Sequence, residues 1–227
     1  MKNQLKIIAL LSISAVLQLL LISLLAPHSY ADGMQDDIDQ ATSILNTFQK
    51  IPERSIPYTV LNTAKGLAII TVTKAGFIIS GRGGTGIVVA RTEGGWSGPS
   101  AIGTGGIGVG FQAGAQTSEL IIVLNTPKAV QAFSKQGNVS LGADLSVAAG
   151  PVGRNVAADM LPLAAVYTYS RSQGLFAGIS LEGTVIATRD DTNAAYYGRE
   201  VNAGDILSGK VKPPSGVQKL LEVLSNY

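Results

Sequence analysis

The sequence predicts a single α+β domain: a mostly antiparallel β-sheet or barrel-like layer, with amphipathic helices at its N- and C-terminal ends. Three observations predict it. Apolar residues recur at three- and four-residue spacing near both ends of the chain. Between them lies a succession of short Ile/Val-rich segments punctuated by glycine. No stretch has the length or composition of a linker. At 227 residues, 46% hydrophobic and 14% charged, the chain can bury a core and is too apolar to be disordered.

Met1 to Ala31 reads as an export segment. Lys2 and Lys6 give it a basic start, Ile7 to Leu25 carries no charge, and Ser29 and Ala31 place small residues at a cleavage site after Ala31. The apolar run is longer than an ordinary signal core and approaches a bilayer span, so an uncleaved N-terminal membrane anchor is the alternative. Either reading puts the domain, Asp32 to Tyr227, outside the cytosol, periplasmic or extracellular.

Asp32 to Lys50 follows as a helix. Ile38, Ala41, Ile44, Leu45 and Phe48 repeat at the helical spacing, Asp36, Asp37 and Asp39 complement the N-terminal end of its dipole, and Lys50 the other. Pro52 stops it. A second short helix from Pro57 carries Val60, Leu61 and Ala64 and ends at Gly66. Strands are expected over Leu67 to Thr73, Gly76 to Ser80, Ile87 to Arg91, Ile102 to Ala115 and Leu120 to Leu124, with turns at Lys-Ala-Gly and Glu-Gly-Gly. A helix from Pro127 to Lys135 interrupts them, and strands resume over Ser140 to Ala149, Ala165 to Ser170, Leu175 to Leu181 and Thr184 to Arg189. Asp190-Asp191-Thr192 is placed to cap a helix holding Tyr196 and Tyr197, and Val217 to Leu224 closes the chain as an amphipathic helix.

Composition excludes more than the motifs include. There is no Cys, and the one His, His28, lies in the export segment. Ser-His-Asp and Cys-His catalysis, Cys/His metal sites, disulfides and imidazole acid-base chemistry are therefore closed to the mature domain. No cofactor or metal is expected. From Asp32 onward Lys+Arg and Asp+Glu each number 15, so the domain is neutral and nucleic acid is not an expected partner.

Gly81-Arg82-Gly83-Gly84-Thr85-Gly86 and Gly103-Thr104-Gly105-Gly106-Ile107-Gly108 match the dinucleotide fingerprint in spacing. Both run into β-branched strand sequence where the mechanism needs a helix N-terminus, so neither is read as a phosphate loop. Gly106, Gly108, Gly110 and Gly114 share one strand parity and Ile107, Val109, Phe111 and Ala113 the other. A bare face of this kind means close approach of another backbone or a sharp bend, with a ligand groove as the functional alternative. The carboxylates Glu93, Glu119, Asp144, Glu182, Asp190 and Asp191 are the only hydrolytic candidates, and no spacing pairs them. The chain is read as non-enzymatic.

The cations Lys74, Arg82, Arg91, Arg154 and Arg171 stand at strand ends or turns beside small residues, where they can meet a phosphate head group. With the apolar helix face of Ile38, Ile44, Leu45 and Phe48 they are the candidate lipid-binding residues, acting by shallow insertion plus local phosphate contacts. Trp96, in Gly94-Gly95-Trp96-Ser97-Gly98-Pro99, is either an interfacial anchor or a core plug.

Several of these stretches together resemble the SYLF domain family in order and spacing. They are Ile56-Pro57-Tyr58-Thr59-Val60-Leu61-Asn62-Thr63-Ala64-Lys65-Gly66-Leu67-Ala68-Ile69, Lys74-Ala75-Gly76-Phe77, Gly81 to Gly86, Trp96-Ser97-Gly98-Pro99-Ser100-Ala101-Ile102, Gly106 to Gly114, Ala148-Ala149-Gly150-Pro151-Val152-Gly153-Arg154, Tyr169-Ser170 and Gly174 to Gly183. The resemblance covers about Ile38 to Leu224. It implies phospholipid binding, of phosphoinositides in eukaryotic members, and actin binding in fungal relatives. Within the family the chain resembles the exported bacterial-type single-domain members. It lacks added SH3 or FYVE modules, and its N-terminal helix is acidic where lipid-binding relatives are basic. The reading is a membrane-associated module that binds phospholipid, with a protein partner of the cell envelope as the alternative; the export segment makes actin an unlikely partner.

Overall fold

A computed structural model describes residues 30–50, 55–135, 138–152, 164–174 and 184–227. Helix α1 (Tyr30–Lys50) and the short α2 (Tyr58–Thr63) lead into two long strands, β1 (Gly66–Thr92) and β3 (Ser100–Leu124), joined through the two-residue β2 (Gly95–Trp96). Then come α3 (Pro127–Ser134), β4 (Asn138–Ser140), β5 (Val147–Ala149), β6 (Val166–Gly174), β7 (Val185–Thr188), α4 (Asp190–Tyr197), α5 (Ala203–Leu207), a 3-10 turn over Ser215–Val217 and α6 (Gln218–Leu224). The expected α+β class holds: a mostly antiparallel sheet, with seven strands among the described residues in the order β2-β1-β3-β6-β5 and β4 and β7 beside them, and helices at both ends. Strand β7 pairs with β3 and carries β4 at its far side, and β5 on β6 is parallel.

The five expected strands between Leu67 and Leu124 are two. β1 and β3 pair from Gly66↔Leu124 to Val88↔Ser100, with one register shift between Phe77 and Ile79. Lys74-Ala75-Gly76 and Gly81 to Gly84 are therefore ladder residues, because a partner strand satisfies the backbone groups that a turn would otherwise have to satisfy locally. Glycine marks a doubling-back instead. Arg91 N donates to Lys65 O at 2.8 Å, which brings the two ends of β1 together. A Cβ on Gly84 would lie 2.5 Å from Thr71 O, and one on Gly86 would collide with Ile69 O. Close approach of backbone thus occurs at Gly84 and Gly86. At Gly106 it is the Arg82 side chain that lies across the bare position, Nε at 3.1 Å from where a Cβ would stand.

Strand alternation divides the core in two. Leu67, Ile69, Ile87, Val89, Ile121, Val123, Tyr167 and Tyr169 pack under α1, α2 and α6. Ala68, Ile70, Val88, Ala90, Leu120, Ile122 and Val166 pack on the opposite face against Ala129 and Phe133 of α3 and Leu207 of α5. Both sheet faces are covered, which is why the strands read as apolar runs more than as alternating ones.

Smaller corrections follow from tertiary context. The expected strand Ser140 to Ala149 is two three-residue strands around a turn, closed by Gly142 N to Leu145 O at 2.9 Å. Asp190 and Asp191 sit in the first turn of α4, whose N-cap position is Arg189, with no side-chain cap bond. They favour the helix through its dipole. The helix α5, capped by Asn202 onto Asp205 N, was not anticipated, because five residues are too few to show a period. The expected strand Leu175 to Leu181 lies outside the described residues. Among those described, no helix is long and apolar enough to cross a membrane.

Candidate binding site

The lipid-binding candidates separate in three dimensions. Ile38, Ile44 and Leu45 are 1–2% exposed and Phe48 is 9% exposed, all in the core cluster between α1 and the sheet. The amphipathic pattern was read correctly as a helix and wrongly as a free surface. The domain's own sheet occupies the apolar stripe, so insertion of this face into a bilayer would first require α1 to leave the core.

Arg91 is also committed elsewhere. Its guanidinium lies over the Trp96 ring at 4.3 Å from the centroid, and Nη2 donates to Leu61 O at 3.3 Å and Tyr227 O at 3.2 Å. Trp96 Nε1 donates to Leu224 O at 2.9 Å. The pair clamps the C-terminal helix, and Trp96 is the plug rather than the anchor. Arg154 lies outside the described residues. Lys74 and Arg82 sit half-exposed on the β1/β3 ribbon.

Arg171 and Phe48 do come together. Thr47 and Phe48 at the end of α1, Gly150 and Val152 after β5, and Thr168 to Ser172 of β6 line a groove of about 330 Å³. Val152 is 56% exposed on its wall. Tyr169, 4% exposed, forms the floor, and its hydroxyl donates to Pro151 O at 3.1 Å. Burial pushes that phenol well above its ordinary value, so it stays a neutral donor. Gly150 is required here: a Cβ would overlap the Tyr169 ring.

At the mouth, Arg171 Nε (2.8 Å) and Nη2 (2.7 Å) both reach Glu119 Oε2, and Glu119 Oε1 accepts from Gln40 Nε2 of α1 at 3.5 Å. The guanidinium is thereby oriented and its charge locally balanced. Nη1 makes no hydrogen bond among the described residues. The result is a half-apolar trough with one oriented guanidinium on its lining, polar on the side of Thr168, Ser170 and Ser172 and apolar at Phe48, Val152 and Tyr169.

Sequence reasoning missed the feature that holds α1 in place. Asp37 accepts from Thr85 Oγ1 at 2.7 Å through Oδ1 and from Arg189 Nη1 at 2.8 Å through Oδ2. Burial pushes the Asp37 carboxyl up, against the lowering effects of Thr85 and Arg189. The signal was present, because Asp37 falls three residues after Met34 and four before Ala41, inside the apolar stripe.

The candidate carboxylates do not assemble around this groove, apart from Glu119 behind Arg171. Asp144 Oδ2 accepts from Ser140 N at 2.7 Å, Glu93 is exposed, and Glu182 lies outside the described residues. Asp190 and Asp191 share an open cleft of about 670 Å³ with Arg199, Glu200, Asp205 and Lys210, where Lys210 Nζ pairs with Asp205 at 3.4 Å. Among the described residues no group of three acids is placed to hold a metal ion.

Fold and groove together define a helix-flanked, mostly antiparallel α+β domain with a half-apolar surface trough. A family described as "Ysc84: Las17-binding protein actin regulator" matches residues 105–227. The chain is similar to human SH3 domain-containing YSC84-like protein 1, 46% identical over 203 residues covering 86% of this chain and 59% of that protein. The bovine protein of the same name gives 46%, 86% and 60%. LAS seventeen-binding protein 3 of Saccharomyces cerevisiae is 43% identical over 204 residues, 86% of this chain and 44% of its own length. This chain belongs to the Ysc84 family, the SYLF domains. It spans about 60% of the length of the first of these relatives.

Proposed function

We propose that the chain is a non-enzymatic module that associates with phospholipid at a membrane face through the Phe48–Arg171 groove. The observation that supports this is the guanidinium held by Glu119 on the lining of a half-apolar trough, with phosphate read at Arg171 and hydrocarbon along Phe48, Val152 and Tyr169. Lys74 and Arg82 on the ribbon add local phosphate contacts. The domain is neutral from Asp32 onward, so attraction is short-range and salt weakens it only modestly. Read as a signal, Met1 to Ala31 places this contact on the exported side of the membrane.

The test is flotation of the chain with neutral, anionic and phosphoinositide-containing vesicles at low and physiological salt. Arg171→Glu is expected to lower the floated fraction on anionic vesicles severalfold. Equal flotation of Arg171→Glu and the unaltered chain would refute the groove. A steep loss with salt would refute the short-range mechanism.

A second reading is favoured by the comparisons. The family carries the description actin regulator, and a relative is named for binding a protein. This match reopens the actin partner that the export segment had set aside. Co-sedimentation with filamentous actin, together with fractionation of cells making the full chain, separates the readings. Pelleting with actin and recovery from the cytosol would favour the protein partner; recovery outside the cytosol would favour the lipid reading.

A further inference from the structure

A second cleft, of about 370 Å³, lies on the opposite face of the sheet from the groove. Its lining is Lys128, Gln131, Ala132 and Lys135 from α3 and its C-cap, and Asn138, Val139, Asp144 and Leu145 from β4 and the turn after it. Val139 and Leu145 are 5% and 3% exposed and belong to the α3-side core cluster, whereas Phe48 and Tyr169 belong to the other.

Its charges are arranged for an external acid. Lys128 and Lys135 are exposed, and neither makes an ion pair among the described residues. Lys128 stands in the first turn of α3, the end of the helix dipole that disfavours a cation. The one carboxylate in the lining, Asp144, is already bound to Ser140 N at 2.7 Å. Seven residues separate the two lysines, about 10.5 Å along a helix axis. Acids on one face of an extended chain stand about 7 Å apart at two-residue spacing and about 13 Å apart at four-residue spacing, a range that two flexible lysine side chains on this span can meet.

Two further features choose between ligands. The floor of Ala132, Val139 and Leu145 is apolar, which suits a hydrocarbon side chain and is wasted on a bare phosphate. At Ser140 the outward edge of β4 is closed, since Ser140 N is taken by Asp144 Oδ2 and Ser140 O accepts Asp144 N at 2.9 Å. Beside that residue a guest is recognised through side chains and not through strand pairing.

We propose that the α3–β4 cleft receives a short acidic segment of a protein partner, one apolar side chain seated on Val139 and Leu145 and flanking carboxylates on Lys128 and Lys135. This site is independent of the groove, and failure of vesicle binding leaves it untouched.

The experiment is fluorescence anisotropy of the full chain with a labelled ten-residue peptide in which one leucine is flanked on both sides by glutamates. Binding is expected at low salt and weaker at physiological salt. The double variant Lys128→Glu/Lys135→Glu should weaken it at least tenfold, the neutral Lys128→Gln/Lys135→Gln by an intermediate factor, and a leucine-to-serine peptide about threefold. Melting temperatures within 2 °C of the unaltered chain are expected, since both lysines are exposed. The proposal is overturned if no peptide binds, or if both double variants bind as the unaltered chain does. It is overturned equally if inorganic tripolyphosphate or phosphatidic acid vesicles bind with the same lysine dependence while the leucine makes no difference, which would make the cleft a phosphate site.

Discussion

Replacing Asp37 by Ala tests what holds the groove in shape, because Asp37 fixes the helix that carries Thr47 and Phe48. The substitution removes the acceptor of Thr85 Oγ1 and the partner of Arg189 Nη1. Hydrogen bonds to a charged group contribute about 1.5–3 kcal/mol each. Two effects reduce the loss. The Asp37 carboxyl is pushed up because its burial outweighs what its partners return, so deleting it recovers a desolvation cost. The Arg189 side chain is 27% exposed and is partly hydrated once left alone. The expected cost is about 1–2 kcal/mol, a fall in Tm of about 2–8 °C for a domain of this size. Thermal unfolding of Asp37→Ala, Arg189→Ala and the double variant gives the coupling, expected near 1 kcal/mol. A coupling below about 0.3 kcal/mol, with both single variants unchanged in Tm, would refute the latch.

The same carboxyl sets a pH dependence. Below about pH 3.8 Asp37 is protonated in both folded and unfolded chains. Between that value and its higher folded one, the unfolded chain has released the proton and the folded chain still holds it. Folded protein then binds more protons, so this residue's contribution to stability falls as pH rises and is flat above the folded value. The stability of the unaltered chain relative to Asp37→Asn should therefore decline from pH 3.8 upward and then level; a rise over that range would contradict the assignment of burial as the dominant cause.

Other outcomes follow from the packing. Phe48→Ala should cost about 3 kcal/mol, read by chemical denaturation, because Phe48 is a core residue; an undisturbed midpoint would restore it as a free insertion residue. Gly86→Ala should cost about 3 kcal/mol or more or abolish soluble expression, since the new methyl meets the Ile69 carbonyl and not a side chain that can turn aside. Trp96→Phe removes the bond to Leu224 O and should cost about 1 kcal/mol, with faster amide exchange in α6 than in α3. Asn193→Ala strands Ala101 N (2.7 Å) and Ser100 Oγ (3.1 Å), both buried, and should lower stability by about 2 kcal/mol in the same denaturation assay.

Local chemistry was legible where it acts over a few residues. The stripe from Ile38 to Phe48, Pro57 and Pro127 at helix starts and the Glu-Gly-Gly turn stand close to where their sequence placed them, because period, proline geometry and glycine turns are properties of short segments. The α+β class follows from those signals taken together. The glycines between Gly76 and Gly86 were misread for a physical reason. Glycine marks a turn and a close crossing of backbones alike, and only the partner decides which. Here the partners are β3 along the whole ladder and the first half of β1 itself.

Surface against interior was the harder question. An amphipathic helix states that one of its faces is buried without naming what buries it, so Ile38, Ile44, Leu45 and Phe48 served equally well as a membrane face or a core face until the sheet was placed beneath them. Cations carry the same ambiguity. Arg91 and Arg189 stand at strand ends and Arg171 within β6; one clamps the C-terminal helix, one holds α1 and one stands at a groove mouth, according to Trp96, Asp37 and Glu119, which lie 5, 152 and 52 positions away. The sequence by itself determined the fold class, the helices at both ends, the absence of Cys chemistry, and the family. Which apolar face is free, which cation is available and where a groove opens were decided by contacts between residues far apart in the chain, and such contacts exist only once the fold has formed.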